Sequence, residues 1–279
     1  MKKIYIPFVC LLITGSAFAQ SAKIKLANGQ KIVVESTTDI QASLAMGMEV
    51  TSNSVSKNDL EVKNSTEKGY TINSTLTKLK VNMNMMGQPN NYDSENKEGN
   101  NAEIAKIFDD KVNKPIDVVI DNTTGAPLPG KKKEKKNASE ENANPADDLL
   151  AMFSDNSDDA IVSGAFEIIP KGKSAGNSWS DTAIAKDMKT IRTYTLKSVT
   201  GNEAVIQMDM VSNAVNKLNF QEMEFEVKSE TKTKGEIITD INTGLVSKRT
   251  TSSDITGSIQ MMGQDMPITA KATSTSTYK

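Results

Sequence analysis

The stretch YTINSTLTKLKVNMNM (residues 70–85) decides the fold class of this chain. Apolar residues alternate with polar ones from Tyr70 to Leu76, and the alternation resumes with the opposite parity from Leu79 to Met85. Strand side chains alternate between two faces, so a single change of parity marks a bulge or bend near residues 77–78. The stretch therefore predicts one long, bent β-strand.

The same alternation returns in the second half of the chain, over residues 204–210, 223–227 and 268–272. Turn signals at hairpin spacing separate such segments, for example at Asn28-Gly29 and Gly201-Asn202. We therefore predict a mainly β fold: two curved antiparallel sheets or half-barrels with a few short connecting helices.

Two short features occur twice. The residues Met-Met-Gly-Gln stand at 85–88 and again at 261–264, and an Asp followed four residues later by Gly stands at 121–125 and again at 240–244. The order of the two features is reversed between the halves. This arrangement predicts related hairpins and turns in both halves rather than a tandem duplication.

Helical signals are few. Residues 102–112 have apolar side chains at helical spacing, with Asn101 as an N-cap and Pro115 as a stop. A second short helix is predicted to begin at Asn144-Pro145 and to continue to Phe153. Both are expected to connect strands and to pack against a sheet.

The N-terminus predicts a cleavable signal peptide at residues 1–19. Lys2 and Lys3 precede an apolar run over residues 4–13, and Ala17-Phe18-Ala19 fits a small-x-small cleavage site. The run is too short for a membrane anchor, which needs about 20 apolar residues. We expect export to the periplasm or cell surface as a soluble mature chain without a membrane-spanning segment.

Residues 131–147 contain almost no apolar side chain and predict a low-complexity disordered linker. This linker would join a β-rich half at 20–130 to a second at 148–279. A polybasic membrane patch at 131–136 is the alternative, although neighbouring glutamates dilute its charge.

The composition excludes several chemistries. The chain has no histidine, and its one cysteine, Cys10, lies inside the predicted signal peptide. Ser-His-Asp and Cys-His catalysis, zinc sites of His or Cys type, haem ligation and iron–sulfur clusters therefore lack their residues. A formal net charge of −2 gives no electrostatic case for nucleic acid. We predict neither cofactor nor metal.

Ser54 and Lys57 match Ser-x-x-Lys, and residues 154–156 read Ser-Asp-Asn, both elements of penicillin-recognising enzymes. That chemistry places the serine at the start of a helix, whereas residues 48–56 predict a strand and no Lys-Thr-Gly follows. We interpret both matches as chance. The acidic run from Asp155 to Asp159 lacks the Gly and Glu of an EF-hand loop and predicts helix capping.

Five apolar residues are candidates to face a ligand: Met83, Met85, Met208, Met210 and Trp179. Methionine lines adaptable apolar surfaces, and an exposed Trp often binds ligands. Ordinary core packing is the alternative for all five, and the pattern alone leaves both interpretations open.

The segment 166–170, which ends in Pro170, is followed by Gly176-Asn177-Ser178-Trp179 and by the apolar strands at 194–199 and 204–210. In this pattern the chain resembles an uncharacterised family of exported Bacteroidota proteins, the domain of unknown function family 6263. The resemblance implies no catalytic residues.

These features predict a non-catalytic envelope protein that binds an apolar ligand or an envelope partner, or that has a structural role. The alternative is a carboxylate-dependent hydrolase acting on envelope glycans, which would need two carboxyl groups facing one cleft.

Overall fold

The computed structural model describes residues 23–44, 47–128, 158–185, 187–220, 223–261 and 264–279. The predicted signal peptide, the predicted linker at 131–147 and the helix predicted from Asn144 lie outside the described residues. These three features stay predictions.

Eleven strands and two short helices make up the described part of the chain. The strands are β1 (Lys31–Leu44), β2 (Met48–Ser65), β3 (Gly69–Met85), β4 (Gln88–Asp93), β5 (Pro115–Asp121), β6 (Ser178–Ala185), β7 (Met188–Thr200), β8 (Glu203–Phe220), β9 (Met223–Asp240), β10 (Val246–Met261) and β11 (Gln264–Tyr278). The helices are α1 (Ala102–Phe108) and α2 (Asp158–Gly164). The predicted mainly β fold is confirmed.

All eleven strands belong to one antiparallel sheet, in the order β4-β3-β2-β1-β11-β10-β9-β8-β7-β6, with β5 also paired to β3. Pairing of β1 with β11, from Val34↔Tyr278 to Ser43↔Thr269, joins the N-terminal and C-terminal strands. The two halves therefore share a single curved sheet.

The predicted bulge in β3 is confirmed. The register between β2 and β3 passes from Lys57↔Lys78 to Asn58↔Leu76, so Thr77 has no opposite residue. The Thr77 hydroxyl donates a hydrogen bond to the Lys57 carbonyl oxygen at 3.2 Å. One extra residue on one strand is the definition of a bulge, and it turns Leu79 to the same face as Leu76.

In both repeated Met-Met-Gly-Gln segments, the first and fourth residues pair across a hairpin, so two residues separate the paired positions. Met85 pairs with Gln88 at the β3–β4 turn, and Met261 pairs with Gln264 at the β10–β11 turn. Met86 has φ of 54° and Gly87 has φ of 80°. Positive φ at both central residues is what a type I′ hairpin turn requires.

The two Asp turns are also alike. The Asp121 carboxylate accepts hydrogen bonds from the backbone N–H groups of Thr123 and Thr124 at 2.8 and 2.9 Å. The Asp240 carboxylate accepts from Asn242 and Thr243 at 2.9 and 2.8 Å. Both are side-chain capped turns, as the equal offsets predicted.

One face of the sheet, the inner face, carries the core in two clusters. The lower core joins Ile72 of β3 and Ile120 of β5 to Leu196 of β7 and Ile206 of β8, with Val162 of α2 in the same cluster. The cluster continues from β3 to β8 through buried residues of the strands between them, so one apolar layer spans the lower end of the inner face.

The upper core is built on the other end of the strands and is covered by α1. It contains Val81 of β3, Tyr92 of β4, Ile104 of α1, Val227 of β9 and Ile268 of β11. Helix α1 begins as predicted, because the Asn101 side chain accepts a hydrogen bond from the Ile104 N–H at 3.2 Å. Among the described residues, no helix is long and apolar enough to cross a membrane.

Candidate functional site

A band of small hydroxyl side chains crosses the inner face between the two cores. Cross-strand partners share a face of the sheet, and Thr38 of β1 pairs with Ser54 of β2 and with Ser274 of β11, which in turn pairs with Thr251 of β10. We call this set the hydroxyl band; its members are Ser52, Ser54, Ser56, Ser36, Thr38, Ser274, Ser276, Thr251 and Ser253.

Members of the band bond to each other across the strands. The Ser36 and Ser276 hydroxyl oxygens lie 2.7 Å apart, and those of Thr38 and Ser274 lie 3.1 Å apart. The hydroxyl oxygens of Ser253 and of Thr233 on β9 lie 2.8 Å apart. Each hydroxyl has one donor and two acceptor sites, so a single pairwise bond leaves capacity for a further polar group.

Larger apolar side chains flank the band on both sides. On one side, Met83 of β3 is opposite Ser52. On the other side, Met208 of β8 is opposite Tyr194 of β7, which is opposite Trp179 of β6. The inner face therefore carries a row of small polar side chains between larger apolar ones; we call this part of the inner face the trough, the hydroxyl band its floor and the apolar side chains its walls.

The structure places the five predicted ligand-facing residues on the inner face, on opposite sides of the band. Met83 is 4% exposed and belongs to the upper core, and Met208 is 5% exposed and belongs to the lower core. Met85, Met210 and Trp179 are half-buried. Core packing accounts for Met83 and Met208, whereas the other three have surface left for a ligand.

Trp179 stacks on Tyr194, with ring centroids 5.5 Å apart and an angle of 14° between the planes. It packs against the lower core from β6, the last strand in the sheet order. The stacked pair forms the end of one apolar wall.

Two ion pairs surround the Tyr194 ring. Arg249 Nη2 donates to Glu167 Oε2 at 3.2 Å, and Arg192 Nη1 donates to Asp181 Oδ1 at 3.3 Å. Burial raises the pKa of the Glu167 carboxyl although the Arg249 charge opposes that shift. Burial also raises the pKa of the Tyr194 hydroxyl, and the nearby Glu167 charge adds to the effect. Both pairs are balanced in charge, but only the Glu167–Arg249 pair is largely shielded from water, because the Asp181 and Arg192 side chains are 50% and 36% exposed.

Asp158, the first residue of α2, is the remaining carboxylate near the inner face with a shifted pKa. It accepts a hydrogen bond from the Ser74 hydroxyl at 3.0 Å, and burial raises its pKa. With Asp159 it fills the first turn of α2, where acidic residues favour the helix dipole. The capping role stays a prediction for these two residues, and Asp155 lies outside the described part of the chain.

The structure offers no support for a Ser-Lys nucleophile. Ser54 and Lys57 lie three residues apart on β2, so their side chains point to opposite faces of the sheet. Within the described ranges, no group of three or more acidic or other metal-ligating side chains could hold a metal ion.

The family model for DUF6263, a family of unknown function, matches residues 67–126 and 130–246. The matched residues make up more than half of the chain. The chain belongs to the DUF6263 family. The matched ranges include all of β3 to β9, and so both apolar walls of the trough, whereas β1, β2, β11 and most of β10 lie outside them.

Solved structures match this DUF6263 chain at low sequence identity. A structure described as lipid–protein interactions in lipovitellin matches with a TM-score of 0.51 and 8% identity over 91% of this chain, and the chain spans 25% of the lipovitellin chain. An outer membrane channel from Pseudomonas putida F1 matches with a TM-score of 0.22 and 8% identity, over 92% of this chain and 97% of the channel. No curated protein matches.

Sequence reasoning missed two polar residues of this DUF6263 trough. Asn58 of β2 is 1% exposed, and neither Oδ1 nor Nδ2 has a hydrogen-bond partner among the described residues. Arg249 Nε is also buried without a partner there. Asn58 follows the alternation of β2 on the apolar side, between Ser56 and Leu60, and this was the available signal that it faces inward.

Proposed function

We propose that this DUF6263 protein is a non-catalytic binding module whose inner face holds the acyl part of an amphipathic ligand. The observation that carries the proposal is the hydroxyl band between two apolar walls. A purely structural core favours apolar side chains throughout, whereas half-buried hydroxyls beside Met, Tyr and Trp suit a ligand with both polar and apolar parts.

The state of the carboxylates supports a non-catalytic role. Glycoside hydrolysis needs one carboxyl group free to donate a proton and another free to act as base or nucleophile. Glu167 is engaged by Arg249 and Asp181 by Arg192, and Asp158, whose pKa is also raised, is hydrogen-bonded by the Ser74 hydroxyl. The fold likeness to lipovitellin, a protein described through its lipid interactions, is consistent with an acyl ligand.

Native mass spectrometry of the lipid-stripped protein, incubated with single-chain amphiphiles, tests the proposal. We compare Thr38→Leu, which adds a bulky apolar group to the floor, with Thr37→Leu, its exposed neighbour on the outer face. The wild type and Thr37→Leu are expected to bind one ligand, and Thr38→Leu to bind none. No adduct with the wild type, or equal binding by both variants, would overturn the proposal.

We also propose that the chain is exported to the envelope after cleavage before Gln20, because residues 1–19 have the three parts of a signal peptide. N-terminal sequencing of the protein from a fractionated bacterial host tests this. A mature chain beginning at Gln20 in the envelope fraction is expected. An intact N-terminus in the cytoplasmic fraction would contradict the proposal.

A further inference from the structure

The amide of Asn58 is an unusual group in this core. With 1% of its surface exposed, it offers one acceptor oxygen and a donor nitrogen, and neither has a partner among the described residues. Buried polar groups are nearly always hydrogen-bonded, and each exception calls for an explanation. Its position in the strand points the amide at the inner face, where the trough lies.

Asn58 lies where the hydroxyl band meets the lower core. The next inner-facing residue on one side is Ser56, in the half-buried band, and on the other side is Leu60, in the lower core. On β1 its direct partner is Val34, and Ser36 is the diagonal neighbour. A polar group that moves down the floor of the trough would therefore reach Ser56 and Ser36 first and the Asn58 amide last.

Arg249 provides a second unpaired donor at the same end of the band. It is opposite Ser276, the hydroxyl that bonds to Ser36. Its Nη2 atom is used by Glu167, but its buried Nε has no partner among the described residues. Strands β1 and β11 lie between Asn58 of β2 and Arg249 of β10, so these two unpaired groups are separate from each other.

The charge at this end is already balanced. Arg249 is neutralised by Glu167, and Arg192 by Asp181. A carboxylate or phosphate placed here would be a buried charge without a counter-ion, which is strongly unfavourable. A hydroxyl donates and accepts, so it matches the acceptor oxygen and the donor nitrogen of the Asn58 amide without adding charge.

We propose that Asn58 forms a head-group subsite that selects uncharged, hydroxyl-bearing single-chain lipids, such as monoacylglycerols, over anionic ones. This inference rests on the proposed function. It adds the orientation of the ligand, with the head group at the lower end of the band, and it adds the chemical class of that head group.

Calorimetric titration of the full, lipid-stripped chain with monopalmitoylglycerol and with palmitate, below their micelle-forming concentrations, tests the subsite. The variant is Asn58→Leu, which removes both polar atoms at nearly constant size and should not unfold the protein. The control is Asn64→Leu, an exposed position on the same strand. The wild type and the control are expected to bind monopalmitoylglycerol about tenfold more tightly than palmitate.

Asn58→Leu is expected to lose about tenfold in affinity for monopalmitoylglycerol and to bind palmitate unchanged. A tenfold loss corresponds to about 1.4 kcal/mol, the size of one hydrogen bond. Unchanged binding together with a raised melting temperature would show Asn58 to be an unpaired core group and overturn the inference. Tighter binding of palmitate would overturn the head-group class alone, and no binding of either lipid would overturn the proposed function as well.

Discussion

The buried ion pair between Glu167 and Arg249 gives the sharpest prediction about the stability of the trough. Glu167 belongs to the segment that closes the lower end: its N–H donates to the Gly244 carbonyl oxygen at 2.9 Å, and its own carbonyl oxygen accepts from Thr239. The side chains of Arg249 and Glu167 are 19% and 12% exposed. Arg249→Met therefore leaves a carboxylate in a poorly solvated site.

The loss of unfolding free energy in Arg249→Met depends on whether Glu167 stays charged or binds a proton. Breaking a buried pair by removing one partner typically costs about 3–5 kcal/mol. The unpaired carboxyl escapes part of that cost by binding a proton. For an ordinary glutamate pKa of about 4.3, protonation costs about 3.7 kcal/mol at pH 7 and about 1 kcal/mol at pH 5. We expect Arg249→Met to lose about 3 kcal/mol of unfolding free energy at pH 7 and about 1 kcal/mol at pH 5.

Urea unfolding followed by the fluorescence of Trp179, the only tryptophan in the chain, measures both values. The double variant Arg249→Met with Glu167→Met removes both charges and should recover most of the loss. Lys228→Met is the control, because its partner Glu226 and its own side chain are exposed, and such a pair is worth at most about 1 kcal/mol. Equal losses at the two pH values, or a double variant no more stable than the single one, would refute the electrostatic explanation.

Three further predictions concern elements that hold the trough. Asn101→Ala removes the N-cap of α1 and is expected to lower the unfolding free energy by about 1 kcal/mol in urea titrations, whereas no change would contradict the capping role. Asp158 has a raised pKa in the folded state, so the proton it binds there adds stability at low pH that is lost as the pH rises. The stability of the wild type relative to Asp158→Asn should therefore fall as the pH rises above the ordinary aspartate pKa of about 3.9, and a rise would contradict this sign. Gly235→Ala places a Cβ 3.0 Å from the Thr250 carbonyl oxygen and 3.2 Å from the Met208 Cε and should lower the melting temperature, at a cost of about 1–3 kcal/mol, whereas an unchanged melting temperature would show that the β10 backbone and Met208 both relax.

Local features of the fold could be predicted from the sequence because they depend on neighbouring residues. Alternation identified the strands, and its change of parity identified the bulge at Thr77. The paired offsets identified the turns at Asp121 and Asp240. Each of these features is determined within a few residues of chain, where steric and hydrogen-bonding preferences are strong.

Long-range features could not be predicted in this way. Alternation shows that β1 and β11 are strands but gives no information about which strands pair, so the sequence left open whether the two halves form one sheet. The methionine pattern placed Met83 and Met208 on the apolar side correctly. It could not distinguish a core position from a wall of the trough, because that difference depends on how the sheet curves.

The polar residues of the trough could not be recognised from the sequence for a related reason. An inward Ser or Thr in a strand looks the same in sequence as an outward one, and Arg249 and Glu167 resemble ordinary surface charges. Their burial depends on contact between segments that are 82 residues apart. Only the assembled sheet shows that these side chains share one face.

Photo-crosslinking with a monoacylglycerol that carries a diazirine in its acyl chain tests the central claim most directly. Cross-linked peptides from the full chain are identified by mass spectrometry. We expect cross-links at inner-face positions around the hydroxyl band, Met210 and Trp179 among them, and their loss in Thr38→Leu. Cross-links confined to outer-face positions such as Thr37, or none above the level of an unlabelled control, would contradict a ligand-binding inner face.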